Sequence, residues 1–421
     1  MDFNFTHEQV LLRDSVRGFL RARESAGTRL MPEPVSSSRR SEIWRGFAEE
    51  LGILGAAIGL EQGGFGGGPV EHMIIMEEFG RALVRDPYLE TIVIGAEMLS
   101  RCHGETAARS LAAVLAGKML LAYAWAEPDI GIDLRAVATA ATRDADGWRL
   151  TGSKAVVTAA PWASHLLVLA RTAGAVGSGS GLSLFLVDKS LRGVQCRDFM
   201  MLDGRWASDI AFDDVAVPPA MQLIDGSACP LALEIADRAI AASCAEAVGL
   251  MTQLHTDTIA YISQRRQFGV TLSTFQVLRH RIADMLIHLE MATSATYLAT
   301  LSLAEPADRR ALAVSSAKVV VDEASRFVGQ NAIQLHGSMG MTDQLAVGHY
   351  VKRLMTIGAD FGGADLYIAR HAEASARQSG LRGRSCPGPN QPDRVAAIVS
   401  PSGGVSSISM ANERRKPAVM T

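Results

Sequence analysis

The chain has 421 residues, a formal net charge of −3 and 48% hydrophobic residues. This composition is typical of a globular protein with a large core, and the length suggests two or three structural units. The small net charge gives no basic surface for nucleic acid, so a nucleic-acid partner is not expected. Five scattered cysteines without a CxxC pair predict reduced thiols, and no histidine cluster has the spacing of metal ligands.

The N-terminus does not have the features of a targeting segment. Acids and arginines occur throughout MDFNFTHEQVLLRDSVRGFL, and the apolar core of a signal peptide is absent. Apolar stretches such as residues 53–60 are too short, or too interrupted by glycine, to cross roughly 30 Å of hydrocarbon. The sequence therefore predicts a soluble, cytoplasmic protein without a membrane span.

Hydrophobic periodicity divides the chain into parts of different secondary structure. Over residues 1–120 apolar residues recur at intervals of three and four, which predicts a helical N-terminal domain. Over residues 121–225 the period changes to two or to short apolar runs separated by turn signals, which predicts a central antiparallel β domain. Helical periodicity returns over residues 226–380, and residues 381–421 have the composition of a disordered tail.

The C-terminal helical part contains long periodic segments with short breaks. Such an arrangement predicts a four-helix bundle, and the whole chain is expected to be an α+β multidomain protein. The four segments are residues 231–264, 274–303, 309–335 and 348–374.

One stretch of the predicted β domain carries a recognisable motif. It begins at YAWAEPDIGID and continues through GWRLTGSKAVVT. It resembles the flavin-binding strand region of the acyl-CoA dehydrogenase family, with the pattern Y-x-x-T-E-P-x-A-G-S-D followed by G-x-x-L-x-G-x-K-x-x-I-T-N. The matching positions are Tyr123, Glu127, Pro128, Gly131, Asp133, Gly152, Lys154 and Thr158.

Two further blocks in the helical part are similar to the same family. YISQRRQFGVTLSTFQVLRHRIADM matches the element R-x-x-F-G-x-x-L-x-x-F-Q, and QLHGSMGMTDQLAVGHYVKR matches an element that runs from glutamine to arginine. Together with LDGRWASDIAFDDVAVP the resemblance covers most of residues 5–370. The matching helical positions are Arg265, Phe268, Gly269, Leu272, Phe275, Gln276, Gln334, Gly337, Gly340 and Arg353.

The resemblance implies a fold, a cofactor and an assembly. The family fold has a helical N-terminal domain, a central β-barrel-like domain and a C-terminal four-helix bundle. Its members bind FAD and assemble through the bundle as dimers or tetramers, with each FAD shared between subunits. The implied cofactor residues are Tyr123, Trp125, Ala126, Ile132, Val156 and Thr158 in the β domain, and Arg265, Phe268, Gln276, Gln334, Leu335, Gly337 and Ser338 in the bundle.

FAD chemistry gives some of these residues a physical role. Arg265 supplies a cation for the pyrophosphate, and the turn at 334–338 permits a close backbone approach to the adenine half. The resemblance implies that the Thr158 hydroxyl lies near flavin N5. The family usually has Thr and Ser at the positions of Ala126 and Ile132, so two side-chain hydrogen bonds to flavin are absent.

Ordinary structural roles remain open for the bundle residues. Arg265 with Arg266 is also the pattern of a solvated basic pair, and residues 334–338 are also the pattern of a helix C-terminal turn. We expect His336 to line the site and His280 to lie on a helix face, rather than to bind metal.

The family reaction needs a carboxylate base, since a proton leaves the acyl α-carbon while the β-hydrogen leaves as hydride to flavin. At the position where most members have glutamate this chain has Gly362, and Asp360 nearby need not fill the same space. In some members the base is a residue of the first bundle helix, and the residue that directly follows it is an arginine that lies near the thioester. The corresponding residues here are Asp237 and Arg238.

The surroundings expected for Asp237 are apolar, because it shares a helical face with Ile240, Ala241 and Cys244. Such a setting would favour a carboxylate that can take up a proton. Three alternatives stay open: Asp237 is an ordinary helix acid beside an ion pair of Glu234 and Arg238, the base is Glu234 or Glu246, or this subunit has no base.

The leading functional hypothesis is FAD-dependent α,β-dehydrogenation of an acyl-CoA thioester, with an electron-transferring flavoprotein as oxidant. A second hypothesis is a base-lacking subunit of a heteromeric acyl-CoA dehydrogenase, and a third is an oxygen-using flavoenzyme on the same fold. The assembly is expected to be a homo-oligomer or a heteromer with a related subunit.

Overall fold

Helices form the N-terminal part, as the spacing of apolar residues predicts. The computed structural model describes residues 5–23, 38–128 and 130–378, and the tail predicted to be disordered lies outside them. Thr6 and Gln9 cap the first helix reciprocally, since each side chain accepts a hydrogen bond from the other residue's backbone N–H. The helices are α1 (His7–Arg23), α2 (Ser38–Glu49), α3 (Pro69–Ala82), a π-helix (Leu89–Ala96), α4 (Glu97–Ser100) and α5 (Glu105–Leu115).

A sheet of eight strands follows. The order of hydrogen-bonded neighbours is β6-β7-β3-β2-β4-β5-β8, with β1 paired to β4. The strands are β1 (Leu121–Ala124), β2 (Ala140–Arg143), β3 (Trp148–Thr158), β4 (His165–Arg171), β5 (Leu182–Asp188), β6 (Val194–Met200), β7 (Trp206–Val217) and β8 (Gln222–Ile224).

The sequence predicts an antiparallel β domain, but the sheet also contains parallel strand pairs. Strand β1 runs parallel to β4 along its whole length, and β2 meets β4 in a parallel pairing at Ala140 and Arg171. The chain enters β1 from the helical part rather than through a hairpin, so a local turn does not set its direction.

The C-terminal part is again helical. A short hairpin of β9 (Arg266–Gln267) and β10 (Val270–Thr271) separates the first two helices. The helices are α6 (Cys229–Gln264), α7 (Gln276–Leu301), α8 (Ala307–His336), α9 (Ala346–Ala359) and α10 (Ala364–Gln378).

The fourth predicted bundle segment is in fact two helices. A turn at residues 360–363 ends α9 and starts α10, and in it Phe361 and Gly362 both have positive φ angles, of 58° and 106°. A four-residue turn leaves the apolar period almost unchanged on both sides, so the periodicity did not reveal it.

Helix α6 is the central element, because it contacts α3, the π-helix, α7, α8 and α9. At its crossing with α3 the two backbones touch. A Cβ atom on Gly80 would lie 2.0 Å from the carbonyl oxygen of Glu246, and one on Gly249 would lie 2.0 Å from that of Glu77. Only glycine fits at these positions, and this contact joins the N-terminal helices to the bundle.

We expect Gly249→Ala to destabilise the protein by roughly 1–3 kcal/mol or more, because the new methyl group must push two helix backbones apart. The measurement is the free energy of unfolding in urea. The control is Gly18→Ala, since nothing lies within 4 Å of a Cβ at that position in α1, and it should stabilise by about 0.5–1 kcal/mol. Similar effects of the two substitutions would contradict the close crossing.

In the described ranges 5–23, 38–128 and 130–378, no helix is long and apolar enough to span a membrane.

Candidate active site

A pocket of about 420 Å³ lies where the end of α6, the start of α7 and the end of α8 meet. It brings together five of the seven residues expected in the bundle half of the cofactor site. The pocket is also lined by residues that the motifs did not single out, among them Tyr261, Arg281 and Met339. The five expected residues are Arg265, Gln334, Leu335, Gly337 and Ser338.

His336 forms part of the wall of this pocket, as expected of a site-lining residue. Its ring lies 4.3 Å from that of Tyr261, whose hydroxyl donates to the His336 carbonyl. Nδ1 lies 2.8 Å from the Ala332 carbonyl oxygen, and burial lowers the pKa of the imidazole. A neutral ring that donates through Nδ1 leaves Nε2 as an acceptor.

The chemistry of the pocket fits a dinucleotide. Arg265 is exposed and makes no ion pair with any residue that the structure describes. Gly337 has a φ of 61° and open space where a Cβ would stand, so a ligand can approach its backbone. The amide of Gln334 and the hydroxyl of Ser338 add hydrogen-bonding groups beside the cation.

Phe268 and Gln276 lie beside this pocket but do not line it. Phe268 is at the tip of the β9–β10 hairpin, where its side chain is 90% exposed and its ring meets Phe275 edge to face. Gln276 is the first residue of α7 and is also exposed.

The β-domain residues gather at the ends of β1 and β3. The register of β3 against β7 shifts between Lys154 and Val157, which marks a β-bulge. At the bulge Val156 has a φ of 51° and is half exposed, and the Ala155 N–H donates to the Ala126 carbonyl. Bulges beside functional sites redirect side chains in this way. Thr158, which is half-buried, ends the strand.

Tyr123 is placed differently from the other β-domain residues. Its side chain belongs to the hydrophobic core, and burial raises the pKa of its hydroxyl. A contact between this residue and a cofactor would therefore come from its backbone.

Lys154 and Glu127, which both match the family motif, stabilise the loop that follows β1. They form a buried ion pair of 2.7 Å, and Lys154 also donates to the Trp125 carbonyl. Glu127 accepts from the backbone N–H groups of Ala138 and Thr139. Burial lowers the pKa of Lys154 to about 8. The pair fixes the backbone that presents Trp125 and Ala126.

Trp125 and Ile132 lie against the α9–α10 turn. The Trp125 ring stacks on that of Phe361, with centroids 5.6 Å apart and planes inclined by 3°. A Cβ on Gly362 would lie 3.4 Å from Ile132 Cγ2. The motifs did not indicate Phe361, because its role depends on a contact between residues far apart in the chain.

Asp360, near the position of the missing glutamate, is engaged in ion pairs. Its Oδ2 lies 3.4 Å from Arg205 and 3.8 Å from Arg353. Arg353 is also held by Glu246, with both carboxylate oxygens on its guanidinium at 2.5 and 2.6 Å. Glu246 is therefore engaged in a buried ion pair and is not a free base.

The prediction that Asp237 has apolar surroundings is wrong. The side chain is almost completely buried, but Arg310 from α8 lies 3.0 Å from Oδ2 and Arg370 from α10 lies 2.6 Å from Oδ1. Each oxygen thus lies within ion-pair distance of a guanidinium group. The periodicity of α6 shows only which residues share its face and not which charges other helices bring to it.

Arg238 points to a different cluster from Asp237. It pairs with Glu234 at 3.1 Å, as the four-residue spacing predicts, and lies 3.8 Å from the buried Glu97. Glu97 also pairs with Arg101, and its Oε1 lies 3.3 Å from His72 Nε2. Burial alone would raise the pKa of Glu97, but His72, Arg101 and Arg238 lower it to about 2.

This cluster should contribute to acid sensitivity. Because the pKa of Glu97 falls from 4.5 to about 2 on folding, its stabilisation is present above pH 4.5 and is lost as the pH falls toward 2. We expect the difference in free energy of unfolding between the wild type and Glu97→Gln to shrink over that range.

The measurement is urea unfolding at several pH values. Glu305→Gln, which removes an exposed pair with Arg309, is the control and should have a small effect throughout. A difference for Glu97→Gln that stays constant with pH would contradict the assignment.

Within the described part of the chain, no group of three or more His, Cys, Asp or Glu residues could hold a metal ion.

Comparison with known proteins gives the same family for three successive parts of the chain between residues 6 and 365. Models of the acyl-CoA dehydrogenase N-terminal, middle and C-terminal domains match residues 6–118, 122–215 and 230–365. The caffeyl-CoA reductase-Etf complex subunit CarC of Acetobacterium woodii is 28% identical over 350 residues, which are 82% of this chain and 91% of that protein.

Two other proteins extend the comparison. The short-chain specific acyl-CoA dehydrogenase of Clostridium acetobutylicum is 28% identical over 363 residues, or 82% of this chain and 92% of that protein. The solved structure of a Tcur3481-Tcur3483 steroid ACAD variant has a TM-score of 0.77 at 27% identity, covering 89% of this chain and 99% of that chain. The chain therefore belongs to the acyl-CoA dehydrogenase family of FAD-dependent oxidoreductases, which act on the CH–CH group of acyl-CoA thioesters.

Proposed function

We propose that this chain is the base-lacking subunit of a cytoplasmic, heteromeric acyl-CoA dehydrogenase. It would hold part of the FAD, while a related partner chain supplies the carboxylate that removes the α-proton. The observation that carries the proposal is that both positions expected to provide a base are unable to do so.

At the first position, the α9–α10 turn, residue 362 has no side chain, and its φ of 106° is a conformation that other residues rarely adopt. The nearest acid in the turn, Asp360, is drawn toward Arg205 and Arg353. A general base must reach the proton that it abstracts, and this turn offers no free carboxylate.

At the second position, Asp237 is held by two cations. One carboxylate oxygen lies 3.0 Å from Arg310 and the other 2.6 Å from Arg370, and both guanidinium groups are only partly exposed. We therefore assign Asp237 to joining α6, α8 and α10 and not to abstracting the substrate proton.

The bundle half of the proposed cofactor site still has the polar side chains expected to bind FAD. Arg265, Gln334 and Ser338 line one open pocket, and FAD bound there would supply the hydride acceptor for the family reaction. The exposed surface of the adjoining helix α7 includes several large apolar residues among polar ones, which favours contact with another subunit. Its exposed apolar residues are Val277, Leu286, Ile287, Met291, Leu298 and Leu301.

The names of two similar proteins refer to assemblies of more than one chain. The name of CarC describes a subunit of a complex with Etf, and the steroid ACAD structure is named for two chains. We propose an electron-transferring flavoprotein as the oxidant and an acyl-CoA thioester as the substrate. Cys102, Cys196, Cys229 and Cys244 are free thiols, which fits the reducing cytoplasm.

Asp237→Asn separates the structural role from the catalytic one. We expect it to destabilise the protein by roughly 1–3 kcal/mol, since Arg310 and Arg370, which are partly exposed, lose a buried partner. Urea unfolding measures this loss, and Glu234→Gln, in a half-buried pair with Arg238, is a control with a smaller expected effect. A stable Asp237→Asn protein that binds FAD but has lost flavin reduction would instead identify Asp237 as the base.

The assembly itself can be tested with the flavin absorbance. We expect the chain alone, supplied with FAD under anaerobic conditions, to show no bleaching with short, long or ring-bearing acyl-CoA thioesters. Together with a base-bearing acyl-CoA dehydrogenase chain of the same organism, one of these thioesters should bleach the flavin.

In that pair, Arg265→Gln in this chain should lower the FAD content without changing the elution volume of the complex. Multiple turnovers by the chain alone would overturn the proposal. Substrate-dependent oxygen consumption by the chain alone would favour the oxygen-using alternative.

A further inference from the structure

The stacked rings of Trp125 and Phe361 lie where a substrate would have to enter this chain. Dehydrogenation requires the Cα–Cβ bond to lie between the flavin on one side and the base on the other. Trp125 lies between Tyr123 and Ala126, two of the residues expected to contact flavin, and Phe361 directly precedes Gly362, where most family members have the base. Under the proposed function the two rings would therefore lie on either side of the thioester.

The distance between the rings leaves no room for a thioester. Their planes are nearly parallel, and the centroids are 5.6 Å apart. The perpendicular distance between the two ring planes is therefore at most 5.6 Å. A planar group between them would need roughly 7 Å, which is twice the usual contact distance of about 3.5 Å between carbon atoms. Ile132, which replaces the usual polar residue, adds apolar atoms on the same side of the turn.

Several hydrogen bonds hold Phe361 in this position. The buried Tyr367 hydroxyl donates to the Phe361 carbonyl at 2.7 Å, and the Gly362 N–H donates to the Ala359 carbonyl. Lys318 donates to the carbonyl of Ile357 at 2.6 Å, at the end of α9. A φ of 58° is unusual for phenylalanine, and such a conformation persists only where its surroundings fix it.

We propose that Trp125 and Phe361 form an aromatic plug that excludes acyl-CoA thioesters from this chain's own flavin-ring site. The heteromer would then bind its substrate at the partner's site alone. The inference rests on the proposed function, because it places the flavin ring beside Trp125.

The test compares the full-length wild type with Phe361→Ala, each saturated with FAD under anaerobic conditions. Calorimetric titration measures the binding of octanoyl-CoA and of free CoA, and the absorbance reports the flavin. In the wild type octanoyl-CoA should bind no tighter than CoA, whereas in Phe361→Ala it should bind tighter by about tenfold or more. FAD content should be the same in both.

Trp125→Ala tests the plug from its other side, in case the α9–α10 turn does not tolerate the first substitution. Phe65→Ala, which removes an exposed ring in the N-terminal part, is the matched control and should leave octanoyl-CoA binding unchanged. The plug is refuted if the wild type already binds octanoyl-CoA about tenfold tighter than CoA. It is also refuted if both folded plug variants gain no binding.

The absorbance separates this inference from the proposed function. Octanoyl-CoA binding without bleaching in Phe361→Ala supports both. Binding with bleaching keeps the plug but overturns the proposed function, because the chain would then have its own base. Tight binding without bleaching in the wild type overturns the plug and leaves the proposed function in place.

Discussion

The arrangement of the helices, the sheet and the α9–α10 turn depends on one buried network of charges. Arg205 comes from the turn between β6 and β7 and Arg353 from α9, and both are almost fully buried. Burial of charges is unfavourable unless each is paired, so every element that supplies a partner is fixed in position. Burial also raises the pKa of one of these acids, Glu90, which limits the excess of negative charge. The carboxylates around the two arginines are Glu90, Asp203, Glu246 and Asp360.

The same principle explains why acids near the expected base positions are not free. Asp360 completes the network, and Asp237 joins three helices through Arg310 and Arg370. Asp360 and Asp237 are each oriented by guanidinium groups from other elements, which is a structural role. A catalytic base has to reach the proton that it abstracts. The proposed function therefore treats these two acids as structural and assigns the base to the partner chain.

Sequence patterns predicted those features that depend on neighbours in the chain. Periodicity gave the order of helical, sheet and helical parts, and the motif around Arg265 and Gln334 indicated residues that line one pocket. Contacts between distant segments could not be predicted in this way. Arg310 is 73 residues from Asp237, and the ring of Phe361 meets Trp125 across two different parts of the fold. The environment of Asp237 and the stacking of Trp125 on Phe361 depend on how these distant segments pack together.

The two halves of the candidate cofactor site differ in a way that two unlike subunits would explain. If FAD is shared between subunits, each chain of a homodimer must keep both its own ring site and the pocket that it offers to its neighbour. In a heterodimer only one ring site has to work, so the other can lose its base and close. The pocket at Arg265 in that other chain must still be kept, because the partner's FAD uses it. An open pocket at Arg265, together with the stacked rings of Trp125 and Phe361, is the combination expected of the base-lacking chain in such a heterodimer.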